Sequence, residues 1–214
     1  MRTRIYNDNI IHLLFPNQKE LTMTMCRTQE YYECNSTKLK GKVFTIEKFI
    51  DHYVKDDGSF DYFNFWTGFN IPGYILEEFF EKFELTEREE KLRNVTKKFK
   101  NKMYYLIATK VADKSTIKHE LVHACYYLDP VYKQNVDVLI RHMNKNLKKD
   151  LVNELKSWGY AKHVINDEIN AYISTSSYKY LRDELDLKIT KQDIKPFVDL
   201  AKRSMWSICK DRYE

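Results

Sequence analysis

His119-Glu120-Leu121-Val122-His123 is the stretch of this chain whose residue types and spacing point most directly to chemistry. Positions i and i+4 of a helix lie one turn apart on the same face. A helix here therefore presents two imidazoles to one ion and sets Glu120 beside it. Two imidazoles suit a zinc ion, which polarises a bound water molecule, and an adjacent carboxylate is placed to take that water's proton. The chemistry encoded is metal-assisted hydrolysis.

The flanking residues separate this motif from a chance match. Thr116 and Ile117 precede it, Leu121 and Val122 fill it, Ala124 and Cys125 follow, and no charge intervenes between Glu120 and Asp129. A solvated helix carries Lys or Glu at some of these positions; this one is apolar around its polar trio, as a buried active-site helix must be. Cys125 falls about 200° around the helix from His123 and reads as a small buried hydrophobe rather than a ligand.

A catalytic zinc takes three protein ligands and keeps a fourth place open. The best downstream candidate is Glu168, 45 residues after His123, which leaves room for a helix and a return. Val164, Ile165 and Tyr172 place Glu168 on a largely apolar helix face, where an unpaired carboxylate is costly and a metal removes the cost. Asp167 lies on a neighbouring face, and His142 sits among polar residues. Asp129 stands where a metzincin has its third ligand, but Tyr126 replaces the glycine of that turn, and Asp129 is better explained as a helix cap.

These residues need elements to position them. Residues 10–15 and 21–26 read as strands around Pro16-Asn17, the second on its Leu-Thr-Met-Thr-Met-Cys alternation. Thr45 caps a helix through Ile46, Phe49, Ile50 and Tyr53. Residues 60–72, aromatic and without helical period, read as a packed loop. Helices follow over 73–83 and from Thr86, where Thr86 and Glu89 form a capping box. Residues 103–109 read as an edge strand, able to hold an extended peptide, just before a motif helix that starts near Ser115. Asp129-Pro130 caps the next helix, and 131–158 is mostly helical, closed by Gly159. Further helices run over 163–185 and from Ile194, after an Asp193 cap, to the end. Mixed strands followed by helices make an α+β fold, read as a single domain over 1–214.

At 214 residues with 43% hydrophobic content, the chain is long and apolar enough for a sizeable core. The net charge of +5 comes from scattered lysines. The clusters at 97–102 and 145–149 read as solvated helix ends and loops, so no specific nucleic-acid partner is expected. The apolar stretch at 10–15 is too brief for a signal-peptide core, and no run reaches the length of a membrane span. Cys26, Cys34, Cys125 and Cys209 show no CxxC spacing and read as reduced thiols. The expectation is a soluble, cytoplasmic protein whose oligomeric state is open.

The run Thr116-Ile117-Lys118-His119-Glu120-Leu121-Val122-His123-Ala124-Cys125, followed by a helix bearing Glu168, resembles the gluzincin zinc metallopeptidases. The likeness covers residues 104–180. It implies a zincin-like domain that cleaves a peptide or protein substrate, with His119, His123 and Glu168 as zinc ligands and Glu120 as general base. The ligand spacing is closer to that of lethal-factor peptidases than of thermolysin-like enzymes. Several gluzincins carry Asp four residues after the ligand glutamate; here that place holds Tyr172. Lethal-factor peptidases place a tyrosine shortly before their ligand glutamate, which makes Tyr160 the first choice for the oxyanion donor, with His163 second. Two other classes fit less well. A catalytically inactive protein-binding module does not need Glu120, and a DNA-associated SprT-like peptidase uses a third histidine and usually a zinc ribbon, patterns missing from this sequence.

Overall fold

An unbroken buried run with one polar member, Ile-Ile-His-Leu-Leu-Phe, forms strand β2 (Ile10–Phe15), every residue of it inside. A strand buried on both faces must be interior to its sheet. In the computed structural model, which describes residues 1–64 and 66–209 apart from the side chains of Trp206, Ile208 and Cys209, β2 lies between β1 (Arg2–Tyr6) and β4 (Tyr105–Lys110), with β3 (Gly68–Pro72) beyond β4. The order β1-β2-β4-β3 combines antiparallel β1·β2 and β3·β4 pairs with a parallel β2·β4 pair. Asn7 and Asp8, both at positive φ, make the tight turn between β1 and β2. The polar Arg-Thr-Arg of β1 suits an edge and gave no strand signal.

Contacts divide the chain into two compact units, Met1–Ile117 and Lys118–Glu214. The boundary falls inside a helix rather than at a linker. In the first unit, helix α1 (Gln18–Tyr32) packs against β2, β3 and β4. The strand expected at 21–26 is thus a helix. Asn17 caps it by accepting from the Glu20 N–H, and Thr24 and Thr28 turn their hydroxyls back to the Glu20 and Met25 carbonyls. With these two hydroxyls satisfied within the helix and that of Thr22 donated to the Phe63 carbonyl, Thr22, Thr24 and Thr28 are buried beside Leu21 and Met25, and the alternation no longer marks two faces. Arg27 pairs with Glu89 in the interior, beside the rings of Phe79 and Phe83.

Helix α2 (Ile46–Tyr53) starts at its Thr45 cap. Helix α3 (Gly73–Lys82) begins where a Cβ on Gly73 would meet the Tyr104 ring at 2.5 Å. Helix α4 (Glu87–Thr96) opens on the Thr86/Glu89 capping box. The expected loop at 60–72 holds a short 3-10 turn, Tyr62–Asn64, and β3. β4 is flanked by β2 and β3, so the expected open edge does not exist there. The Tyr-Leu-Ile-Ala run of β4 is buried throughout, as befits a strand paired on both sides.

The second unit is helical. Helix α5 (Lys114–Leu128) has its first turn tied to Asp113, whose carboxylate accepts from the Thr116 N–H. Helix α6 (Pro130–His142) is capped by Asp129 and α7 (Lys145–Ser157) by Asn144. Gly159, at φ +96, then reverses the chain, a conformation that strains any residue with a Cβ. Helix α8 (Ile165–Thr175) stops well short of the expected 185 because Ser176 turns extended; a π turn follows at Tyr180–Glu184. Helix α9 (Lys191–Cys209) starts three residues before the expected Ile194. Its cap is Thr190, which exchanges bonds with Asp193, so Asp193 lies in the first turn instead. The rest of the expected C-terminal helix, residues 210–214, lies outside the described residues.

The structure is therefore α+β, with a four-stranded mixed sheet near the amino terminus and helices dominating the remainder. No described helix is long and apolar enough to cross a membrane. Cys26, Cys34 and Cys125 are buried and form no disulfide among the described residues; the Cys209 side chain lies outside the described residues.

His12, fully buried on β2, gives this sheet a pH dependence. Thr109 donates its hydroxyl proton to the Lys110 carbonyl and so accepts from His12 Nε2 at 2.9 Å, while His12 Nδ1 accepts from the Tyr6 hydroxyl at 3.1 Å. The ring is held neutral. Burial, then the nearby Arg4 charge, pushes its pKa down from 6.5 to about 4. The unfolded chain takes up this proton more readily, so the contribution is complete above pH 6.5 and is lost as pH falls towards 4. The full loss is about 3 kcal/mol. Denaturant titrations at stepped pH are expected to show this slope in wild type and a shallower one in His12→Gln; equal slopes would exclude His12 as its source.

Candidate metal centre

The motif helix α5 buries a continuous run from Glu120 to Tyr126, as an apolar-framed helix should. One helical turn brings the His119 and His123 rings to 4.9 Å between centroids, edge to face at 75°. Helix α8, packed against α6, α7 and α9, carries Glu168 to them. One ligand atom from each of His119, His123 and Glu168 lies within 4.8 Å of the other two. His119 Nε2 is 4.0 Å from Glu168 Oε2, and His123 Nε2 is 3.7 Å from Glu168 Oε1.

These separations can be set against those of a hydrogen bond and of a metal shell. They are too long for direct hydrogen bonds. A tetrahedral zinc with bonds near 2.0–2.1 Å spaces its ligand atoms about 3.4 Å apart, about 0.3 Å less than the His123–Glu168 contact and about 0.6 Å less than the His119–Glu168 contact, and those two contacts are made to different oxygens of Glu168. The buried polar atoms fit the same reading. His123 Nε2 and Glu168 Oε2 have no hydrogen-bond partner among the described residues, although His123 and Glu168 are each only 1% exposed. Orphaned buried groups of this kind are costly, and a cation bound between them removes the cost. The donor set, two imidazoles and a carboxylate, is one that zinc accepts.

Burial and the neighbouring charges set the protonation of the metal-free cluster. Burial holds the His119 pKa well below the usual histidine value, and the charge of His123 adds to this. Burial also opposes protonation of His123, but the carboxylates of Asp167, Glu168 and Glu120 outweigh it and hold that pKa well above the usual value. Glu168 is raised by burial and by the adjacent carboxylates. In the described residues, the ion pairs of Asp167 and Glu168 are with the two histidines and not with Lys or Arg. The His119 side chain is 19% exposed against 1% for His123 and 2% for Glu168, so the accessible side of the cluster is at His119.

Of the other residues singled out in the sequence, Glu120 is buried at 4% exposure and acts electrostatically on both His123 and Glu168. Tyr160 is brought to the cluster: it hydrogen-bonds the Glu168 carboxylate, and its hydroxyl lies 3.5 Å from that of Tyr172. His163 is exposed in the turn before α8 and is not part of the three-ligand group. Asp129 spends Oδ1 on the Val131 and Tyr132 N–H groups, as a cap does. His142 is exposed and bonds the Val138 carbonyl.

Three contacts of the histidines are not foreseen by the sequence. Asp167, set aside as a ligand, lies on the far side of His123, with Oδ1 3.0 Å from Nδ1. Thr175 Oγ1 is 3.1 Å from His119 Nδ1. Tyr172 packs edge-on to His119 at 4.8 Å and is itself backed by Trp158 at 5.2 Å. Glu168, Tyr172 and Thr175, at i, i+4 and i+7 of α8, share one helix face, which is the signal in the sequence that links them. Comparison with protein-family models, curated proteins and solved structures finds no match for this chain.

Proposed function

We propose that this chain is a zinc-dependent metallopeptidase with a zincin-like arrangement of the gluzincin type, cleaving a peptide or protein substrate. The observation that carries the reading is the convergence within 4.8 Å of ligand atoms of His119 and His123, on the helix that also bears Glu120, with one of Glu168 on α8. Zinc bound there supplies a polarised water and an electrophile for the scissile carbonyl. His119 and His123 would hold the ion from α5, and Glu168 would hold it from α8. Glu120 takes the proton of the attacking water and passes it to the leaving amine. Tyr160, already beside Glu168, is the first choice to donate to the developing oxyanion, and His163 the second. The exposed edge of His119 is the side from which substrate approaches.

Metal analysis tests the ligand set before any substrate is known. Purified wild type is expected to hold close to one equivalent of zinc. Glu168→Gln is expected to lower zinc affinity at least ~10-fold, since it removes the anionic ligand, whereas Asp129→Asn leaves affinity nearly unchanged. Loss of metal in Asp129→Asn alone would replace Glu168 by Asp129 as third ligand. Any cleavage should vanish with a chelator and return with added zinc.

A further inference from the structure

We infer that Asp167 and Thr175 are the positioning residues of the metal centre, one for each histidine, so that helix α8 supplies one ligand and aims the other two. The inference rests on the metal reading above and deepens it. Thr175 has one hydroxyl proton, and it goes to the Ala171 carbonyl at 2.7 Å. Towards His119 Nδ1, 3.1 Å away, Thr175 Oγ1 can then only accept. The His119 proton is thereby fixed on Nδ1, and the bare Nε2 lone pair faces Glu168.

His123 is treated the same way by a different group. A carboxylate only accepts, so Asp167 Oδ1, 3.0 Å from Nδ1, keeps a proton on that nitrogen and leaves Nε2 for the ion. The contact is at hydrogen-bonding distance without full alignment. An imidazole that gives its second N–H to a carboxylate or oxygen acceptor is both oriented and made a better ligand, and loss of such a partner costs 10–100-fold in metal affinity. Tyr172 fills the place four residues after Glu168 with a ring against His119. The acceptors are instead the residue just before Glu168 and the residue two helical turns after it.

The test compares wild type, Thr175→Val, Thr175→Ser and Asp167→Ala. Zinc affinity is measured by chelator competition, melting temperature checks folding, and histidine 15N chemical shifts of the metal-free protein report the His119 tautomer. Wild type should show the Nδ1–H tautomer at His119. Thr175→Val should lose that preference and bind zinc ~10–100-fold more weakly, and Thr175→Ser should restore both. Asp167→Ala should weaken zinc to a similar degree with the His119 tautomer unchanged. Wild-type affinity in both Thr175→Val and Asp167→Ala, or an Nε2–H tautomer at His119 in wild type, would overturn the inference while leaving the ligand set standing. Failure of wild type itself to take up zinc would instead remove the metal reading, and the inference with it. Should Thr175→Val not fold, the wild-type tautomer and the Asp167→Ala affinity decide the question.

Discussion

Glu120→Gln is expected to hold zinc as wild type does and to cleave its substrate at least ~100-fold more slowly, the scale on which a general base contributes. The substitution keeps the size and shape of a side chain that is 4% exposed, so packing around α5 is preserved. What changes is the ability to accept a proton. Glu120 is not among the three ligands, so its replacement leaves the shell of His119, His123 and Glu168 intact. Peptide libraries and cellular protein extracts are suitable substrates for a first screen, with zinc content measured on the same samples. Identical product profiles from wild type and Glu120→Gln, both retaining zinc, would remove the peptidase reading and leave a protein-binding module in its place.

His123→Ala is expected to lose zinc by more than ~100-fold in affinity, beyond the 10–100-fold scale of an outer partner, and to be less stable without metal as well. His123 is 1% exposed, its Nε2 faces Glu168 and its Nδ1 faces Asp167. Removal opens the ligand shell and also leaves two carboxylates without the imidazole between them, the costly case of unpaired buried charge. His119→Ala is expected to lose zinc to a similar degree but to destabilise the metal-free protein less, because the His119 side chain is 19% exposed. Elemental analysis and thermal melts check both variants. Equal metal content in wild type, His119→Ala and His123→Ala would rule the site out.

Local sequence was enough for features set within a turn or two of helix. The pairing of His119 with His123 follows from i,i+4 geometry alone, and the caps at Thr45, Thr86 and Asp129 and the reversal at Gly159 depend on residues a few places apart. Glu168 could be found because a carboxylate on an apolar face demands a partner wherever that partner lies. The alternation at 21–26 misled because threonine can be buried in a helix by bonding back to the preceding turn. The apolar run at 103–109 did not reveal whether its strand was inner or outer, since that depends on β3, formed from an aromatic segment with no period of its own.

The sequence by itself determined that two imidazoles and a carboxylate share one helix with apolar neighbours, and that a second carboxylate downstream, on an apolar face, calls for a partner. Only the tertiary structure decided that Asp167 and Thr175 sit at the two Nδ1 atoms, and that His119 rather than His123 keeps an exposed edge. The His119 to Thr175 contact spans 56 residues. Its existence depends on where Gly159 turns the chain and on how α8 packs against α6, α7 and α9. Spacing along a chain fixes which side chains share a helix face; which acceptor meets the far nitrogen of each imidazole is fixed by how the helices pack.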